Sequence, residues 1–263
     1  MFNPYLNMAS NGENLEKISQ KIQKWIRKQE NVKEESITDW LLYQMGERIS
    51  NITSLTFSHH EEARVTGADW EWWFIYPHRN YKFRVQAKRI IPTRSIYQAL
   101  NYKKGEQIEL LIKDALKNNS IPLYALYTNS VSKSRCPKDI KNEGVYLAGA
   151  LELKENIIDT EKKRVTFNEL FERSIPLSCI LCCELIPKNI ESFLKKYFLA
   201  NARTEIIYKK DSHLGEHKTL PMYIKAIINS TDEISAEYIQ QQYSNEVNGI
   251  SAITIIDFSN KQY

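Results

Sequence analysis

Apolar residues recur at helical spacing twice near the start of the chain. Leu15, Ile18, Ile22, Trp25 and Ile26 fall on one face, behind Ser10 and Glu13 at capping-box spacing. The opposite face is rich in lysine and glutamine, which reads first as a solvated face and second as one that can touch nucleic acid. Ile37, Trp40, Leu41, Met45, Ile49 and Ile52 form a second stripe, with Ser36 as its expected cap and Asp39 at the third position. The period then changes. Leu55 to Phe57 and Glu62 to Val65 read as strands around His59 and His60, and Gly67 marks a turn. From Asp69 onward, alternation puts Asp69, Glu71, Trp73 and Ile75 on one face and Trp70, Trp72, Phe74 and Tyr76 on the other. Pro77 to Asn80 reads as a hairpin connection. Tyr81, Phe83, Val85 and Ala87 then alternate with Lys82, Arg84, Gln86 and Lys88, a half-buried strand with one polar face. Ile108, Leu111, Ile112 and Ala115 predict a helix over about 106–118, and Pro122 to Tyr127 a buried strand. The helix between these last two strands permits their parallel pairing.

Beyond Asn129 the pattern weakens. A polar, basic loop is expected over 130–142, a strand over 145–153, helices over 167–172 and 189–200, a buried strand over 177–185, an exposed charged stretch over 208–218 and a last strand over 250–258. The expected organisation is a helical extension at 1–35, an α/β core at 36–129, and an α+β extension or small lobe at 130–263. No apolar run reaches membrane-spanning length and no secretory leader is visible, so the expected compartment is the cytoplasm, with no membrane partner. The formal net charge of +4 permits a nucleic-acid partner without requiring one. Cys136, Cys179, Cys182 and Cys183 include one C-x2-C pair, but a second pair is missing, which favours core packing over zinc.

The chemistry-bearing positions are Gly67-Ala68-Asp69 at the head of the aromatic strand and Gln86-Ala87-Lys88 at the end of the next. This pair of motifs resembles the PD-(D/E)xK nuclease superfamily, in particular its Mrr-like restriction-endonuclease branch, where Gly-x-Asp is followed by Gln-x-Lys. The resemblance covers roughly Ser36 to Asn129, about a third of the chain. It implies a restriction-endonuclease-like core of helix, three strands, helix and strand. It also implies a metal-dependent endonuclease acting on phosphodiester bonds, with DNA as the expected partner and restriction or anti-phage defence as the setting. By the same resemblance Asp69 is the central ligand of Mg2+ or Mn2+, Gln86 supplies an amide oxygen or orients metal-bound water, the Ala87 carbonyl completes the coordination, and Lys88 positions or activates the attacking water and stabilises charge on the phosphate. These residue types suit that task. Hard cations take oxygen ligands and keep several waters. They polarise phosphoryl oxygens and activate water, and a lysine is a compact cation beside phosphate.

Gln86 stands where the superfamily usually has a carboxylate, so a further acid is expected. Glu47, on the second helix, and Glu62, ahead of the Gly67 turn, are nearly equal candidates. Glu71, on the face of Asp69, is third and would serve a second metal. Arg84, Arg89, Arg94, Lys103 and Lys104 surround the motifs and suit phosphate contacts, which orient nucleic acid without reading its sequence. Trp73 shares the side of Asp69 and is the tryptophan expected near substrate, whereas Trp70 and Trp72 are expected in the core. Gln107, and less so Gln98, can serve as a contact behind the site, although a plain helix-surface glutamine is the blander reading. His59 and His60 lack a ligand set and read as surface residues. Two other functions compete: a non-catalytic nucleic-acid-binding protein on the same fold, and an interaction or sensor module controlled by a partner; a second copy of the chain and a regulatory protein are further candidate partners.

Overall fold

The alternating stretch from Trp70 to Ile90 forms the centre of one mixed sheet, with helices on both faces. The computed structural model describes residues 4–57, 66–130, 134–136, 143–160, 165–183, 186, 189–199, 213–230 and 234–259, with side chains from Asn11 onward. Two helices come first, α1 (Pro4–Lys28) and α2 (Glu34–Arg48). Both start before the cap residues expected from sequence. Ser10 lies inside α1 and Ser36 inside α2. An extended Lys33 precedes α2, and Glu34 and Glu35 fill its first turn, where carboxylates oppose the positive end of the helix dipole.

The strands are β1 (Ile52–Thr56), β2 (Trp70–Ile75), β3 (Asn80–Ile90), β4 (Ile121–Thr128), β5 (Val145–Gly149), β6 (Ser174–Pro176), β7 (Glu216–His217) and β8 (Ala252–Asp257). They lie in the order β1-β8-β2-β3-β4-β5-β6, with β7 pairing on β3. β3 and β4 are parallel, as their connection allows; β2 and β3 are antiparallel, and β8 runs parallel to β2. β8 therefore separates β1 from β2, and residues from both halves of the chain build one sheet. Between β3 and β4 run the short helix α3 (Ile96–Leu100) and α4 (Glu106–Lys117).

Trp70, Trp72, Phe74, Phe83 and Val85 pack with Leu15, Ile22, Leu41 and Met45 of α1 and α2 on one face. The other face carries two apolar clusters. Tyr124, Leu126 and Tyr146 meet Ile108 and Leu111 of α4. Trp73, Ile75, Ile253 and Ile255 meet Tyr223, Ile224 and Ile239 of two C-terminal helices, Met222–Asn229 and Ala236–Gln242. Neither of these helices was anticipated from the sequence pattern. Between the clusters, β3 presents the polar face Lys82, Arg84, Gln86 and Lys88.

Three further expectations change. The strand expected to reach residue 153 stops at Gly149, and a helical turn over Ala150–Leu153 follows. A side chain at Gly149 would meet the Phe198 carbonyl oxygen at 2.0 Å, so the chain passes under that residue too closely for any other type. The strand expected over 177–185 is replaced by the helical turn Cys179–Cys182, which follows the short β6 that ends at Pro176. Within the stretch expected to be exposed over 208–218, His217 is half-buried and belongs to β7. The expected strand at Glu62 to Val65, together with His59 and His60, lies outside the described residues. Among the described residues no helix is long and apolar enough to cross a membrane.

Candidate active site

Gly67 is the local reason for the geometry. Its φ is +70°, a region open to glycine, and an added Cβ would stand 2.6 Å from the Leu111 nitrogen and 2.7 Å from the Gln107 oxygen. The turn is thus pressed against the backbone of α4. Asp69 follows, stitched by its own backbone to both neighbours: its N–H donates to the Val85 carbonyl at 2.8 Å, and its carbonyl accepts from Ser251 at 2.7 Å. The head of β2 is thereby fixed between β3 and the approach to β8.

The carboxylate of Asp69 then points across to the end of β3. Its Oδ2 accepts from the Ala87 N–H at 2.7 Å and from Gln86 Nε2 at 2.7 Å. Gln86 Nε2 also donates to the Ala87 carbonyl at 2.9 Å, and Gln86 Oε1 accepts from Gln107 Nε2 at 2.9 Å. Gln107 sits in the first turn of α4, so the helix held by Gly67 also holds the Gln86 amide. Lys88, two residues along β3, brings Nζ to 3.9 Å from Glu34 Oε2 and 5.3 Å from the centre of the Tyr102 ring. Asp69, Gln86, Glu34, Glu35, Thr38, Asp39, Ser251 and Ala252 line one cleft of about 90 Å³.

Burial pushes the Asp69 carboxyl up to about 7, and the neighbouring Glu34 adds to the rise. The Ala87 N–H, Lys88 and Gln86 oppose it without cancelling it. A half-buried acid with more acids on the same cleft is an environment that a divalent cation relieves. The available donors are oxygens: the carboxylates of Asp69 and Glu34, the Gln86 amide and the Ala87 carbonyl. Among the described residues no group of three or more His, Cys, Asp and Glu is arranged to hold a metal. The donor types alone, all oxygens, suit a hard cation that retains several waters, such as Mg2+ or Mn2+, better than zinc. In this arrangement Gln86 turns its oxygen to Gln107, so offering that oxygen to a cation requires the amide to turn over.

The structure does not gather the other expected residues here. Glu47 is exposed near the far end of α2, roughly 20 Å along the axis from Glu34. The acid that α2 does bring to the cleft is Glu34, which the sequence pattern left unmarked. Its signal was the Glu34-Glu35 pair just ahead of an apolar stripe, a helix-start signature. Glu62 lies outside the described residues. Glu71 is fully buried and already matched: Lys82 Nζ lies 3.1 Å and Arg84 Nη1 3.2 Å from its Oε2, while Trp73 Nε1 and the Tyr223 hydroxyl each donate to its Oε1 at 2.5 Å. Although burial pushes the other way, Arg84 and Lys82 hold its carboxyl below the usual range, so no charge is left over for a second metal.

Arg84 is itself buried, with its Nε 3.1 Å from Asp114, and cannot reach phosphate. Trp73 is 1 % exposed and packs on His217, so it is core and offers no face to a base. Arg89 donates to the Val32 carbonyl between α1 and α2. Arg94, Lys103 and Lys104 are exposed on the connection from β3 to α4. Gln98 is exposed there too, without a link to the cleft among the described contacts. Cys179 is buried in the main core with Cys136 and Cys183 packed against it, and its thiol contacts Cys136 and Cys182.

The chain belongs to DUF6615, a family of unknown function, whose match spans residues 12–262. No curated protein and no solved structure matches it.

Proposed function

We propose that the chain is a divalent-cation-dependent nuclease that hydrolyses phosphodiester bonds, with DNA as its substrate and the cleft at Asp69 as its active site. The observation that carries this reading is the junction of β2 and β3: a raised carboxylate clamped against Gln86 and the Ala87 N–H, with Lys88 beside it. The succession α2, β1, β2, β3, α3, α4, β4 supports a restriction-endonuclease-like core, with β2 and β3 antiparallel and β3 and β4 parallel. The insertion of β8 between β1 and β2 is a departure from simple succession.

Asp69 and Glu34, with the Ala87 carbonyl and the Gln86 amide, would hold the cation, which when bound polarises a phosphoryl oxygen and makes water more nucleophilic. Lys88, buried beside Glu34, would supply a positive charge to the phosphate as negative charge gathers there. Gln107 anchors the Gln86 amide, and turning both amides over keeps that bond while aiming the Gln86 oxygen at the cleft. Restriction or anti-phage defence is the setting that the resemblance of the motifs supports for such an activity.

Plasmid cleavage with Mg2+ or Mn2+ tests the reading, comparing the wild type with Asp69→Ala and Lys88→Ala after circular dichroism shows all three folded. Cleavage by the wild type and its loss in both variants is expected. Equal cleavage by all three would sink the assignment. One observation favours a second reading, a nucleic-acid-binding protein without catalysis: Asp69 already has a neutral amide as partner where a second acid would recruit metal. Titration calorimetry with Mn2+ separates the two, since that reading predicts no heat that depends on Asp69.

A further inference from the structure

The connection from α3 to α4 carries a combination that packing does not explain. Lys103 and Lys104 hold φ values of 51° and 57°, followed by Gly105 at 86°. Left-handed backbone is unfavourable at a residue other than glycine, yet both lysines are exposed, so no buried contact of their side chains compensates. The strained turn presents Tyr102, whose side chain is 52 % exposed. Lys88 Nζ lies 5.3 Å and Lys103 Nζ 5.9 Å from the centre of the Tyr102 ring. The same Lys88 is 3.9 Å from Glu34 at the cleft, and Gln107, two residues past Gly105, holds Gln86. Tyr102 is thus an exposed aromatic beside the cleft, with Lys88 and Lys103 over its ring, on a segment anchored to the site.

We propose that Tyr102 is a base-stacking platform, with Lys103 and Lys104 on the adjacent phosphates, so that the substrate is single-stranded nucleic acid or presents an unpaired nucleotide to the cleft. This rests on the nuclease reading of the Asp69 site and adds the substrate class. Base stacking on an aromatic needs a free base face, which the interior of a duplex does not offer until a nucleotide is extruded. The lysines supply the sequence-independent part of the contact.

The test is fluorescence anisotropy of a fluorescein-labelled oligonucleotide, single-stranded or annealed to its complement, in EDTA so that nothing is cut. The wild type is expected to bind the single strand more tightly than the duplex. Tyr102→Ala weakens single-strand binding about 5- to 150-fold, the range of one base–aromatic stack, and Tyr102→Trp restores it. Lys103→Glu with Lys104→Glu weakens binding and flattens its salt dependence. Unchanged single-strand binding in Tyr102→Ala, failure of Tyr102→Trp to restore it, or no binding by the wild type overturns the proposal. Cleavage assays on the same preparations keep the two readings apart. Asp69-dependent cleavage without a Tyr102 effect removes the platform and leaves the nuclease. A Tyr102 effect on binding without cleavage removes the nuclease and leaves a single-strand-binding surface.

Discussion

Two carboxylates stand two residues apart at the head of β2, and their surroundings are opposite. Glu71 sits across from Arg84 in the strand register, with Lys82, Trp73 and Tyr223 completing its contacts, and its carboxyl is held low. Asp69 has hydrogen bonds from an amide and a backbone N–H, a lysine nearby and another acid on its cleft, and its carboxyl is pushed up to about 7. Charge at Glu71 is balanced by the protein. Charge at Asp69 is left for something else to balance. Neighbouring acids of opposite environment are a mark of functional sites, because a structural acid is matched where it is built.

The largest expected effect breaks the balanced side. Glu71→Ala leaves Lys82 and Arg84 buried around an empty position, and removal of one partner from a buried ion pair costs about 3–5 kcal/mol. Urea unfolding reads the loss as a lower midpoint. A midpoint within error of the wild type would show that the cluster is open to water and that the contrast with Asp69 is false. On the other side the sign reverses. Asp69→Asn keeps an acceptor for both the Ala87 N–H and the Gln86 amide while removing the confined charge. Stability at pH 8 should rise by about 1–3 kcal/mol, while metal-dependent cleavage is lost. A substitution that stabilises the fold and abolishes activity is what a site under functional strain produces.

The pH dependence sharpens the same contrast. The folded-state value of Asp69, about 7, lies above its ordinary 3.8. The protonated form is therefore favoured by folding, and this contribution is full below about pH 4 and lost as pH rises through about 7. Glu143, buried against Ser178, is pushed up to about 8 and acts in the same direction over a window that extends higher. Urea midpoints should fall from pH 5 to pH 8 in the wild type, less steeply in Asp69→Asn, and least in the double variant with Glu143→Gln. Parallel slopes in all three proteins would show that neither acid is perturbed. Cleavage should move the opposite way and rise with pH through about 7, because the ionised Asp69 is the form that takes a cation.

The legible parts of this molecule were those written in local periodicity. Alternation separated Trp70 and Trp72 from Asp69 and Glu71 because β2 and β3 bury chemically different faces, and the helix over 106–117 has a clear apolar stripe. The fold's least local feature, β8 inserted between β1 and β2, pairs residues from opposite ends of the chain, and no local pattern encodes it. Arg84 and Glu71 were placed on the right face but given the wrong task. Each is polar at an alternating position, and only the register that sets them opposite one another shows that they neutralise each other. Glu34 was missed for a related reason. It lies off the apolar stripe of α2, in a first turn where acids are ordinary, and its meaning comes from the distant strand end that the helix meets.

Glu34 therefore supplies the smallest and most discriminating test. Its negative charge adds to the rise at Asp69, and its carboxylate is the ion-pair partner of Lys88 at 3.9 Å. Glu34→Gln removes the repulsion, so the pH at which cleavage reaches half its maximum should move down by a fraction of a unit, as expected for a partly screened like charge. It also frees Lys88 and removes one oxygen ligand, so the Mn2+ concentration needed for half-maximal cleavage should rise several-fold. A bystander acid at the rim would shift the pH midpoint alone, through the field at Asp69. A cation ligand must change both, and an unchanged metal requirement would remove Glu34 from the site while leaving Asp69 in place. Glu47→Gln, at the other end of the same helix, should change neither.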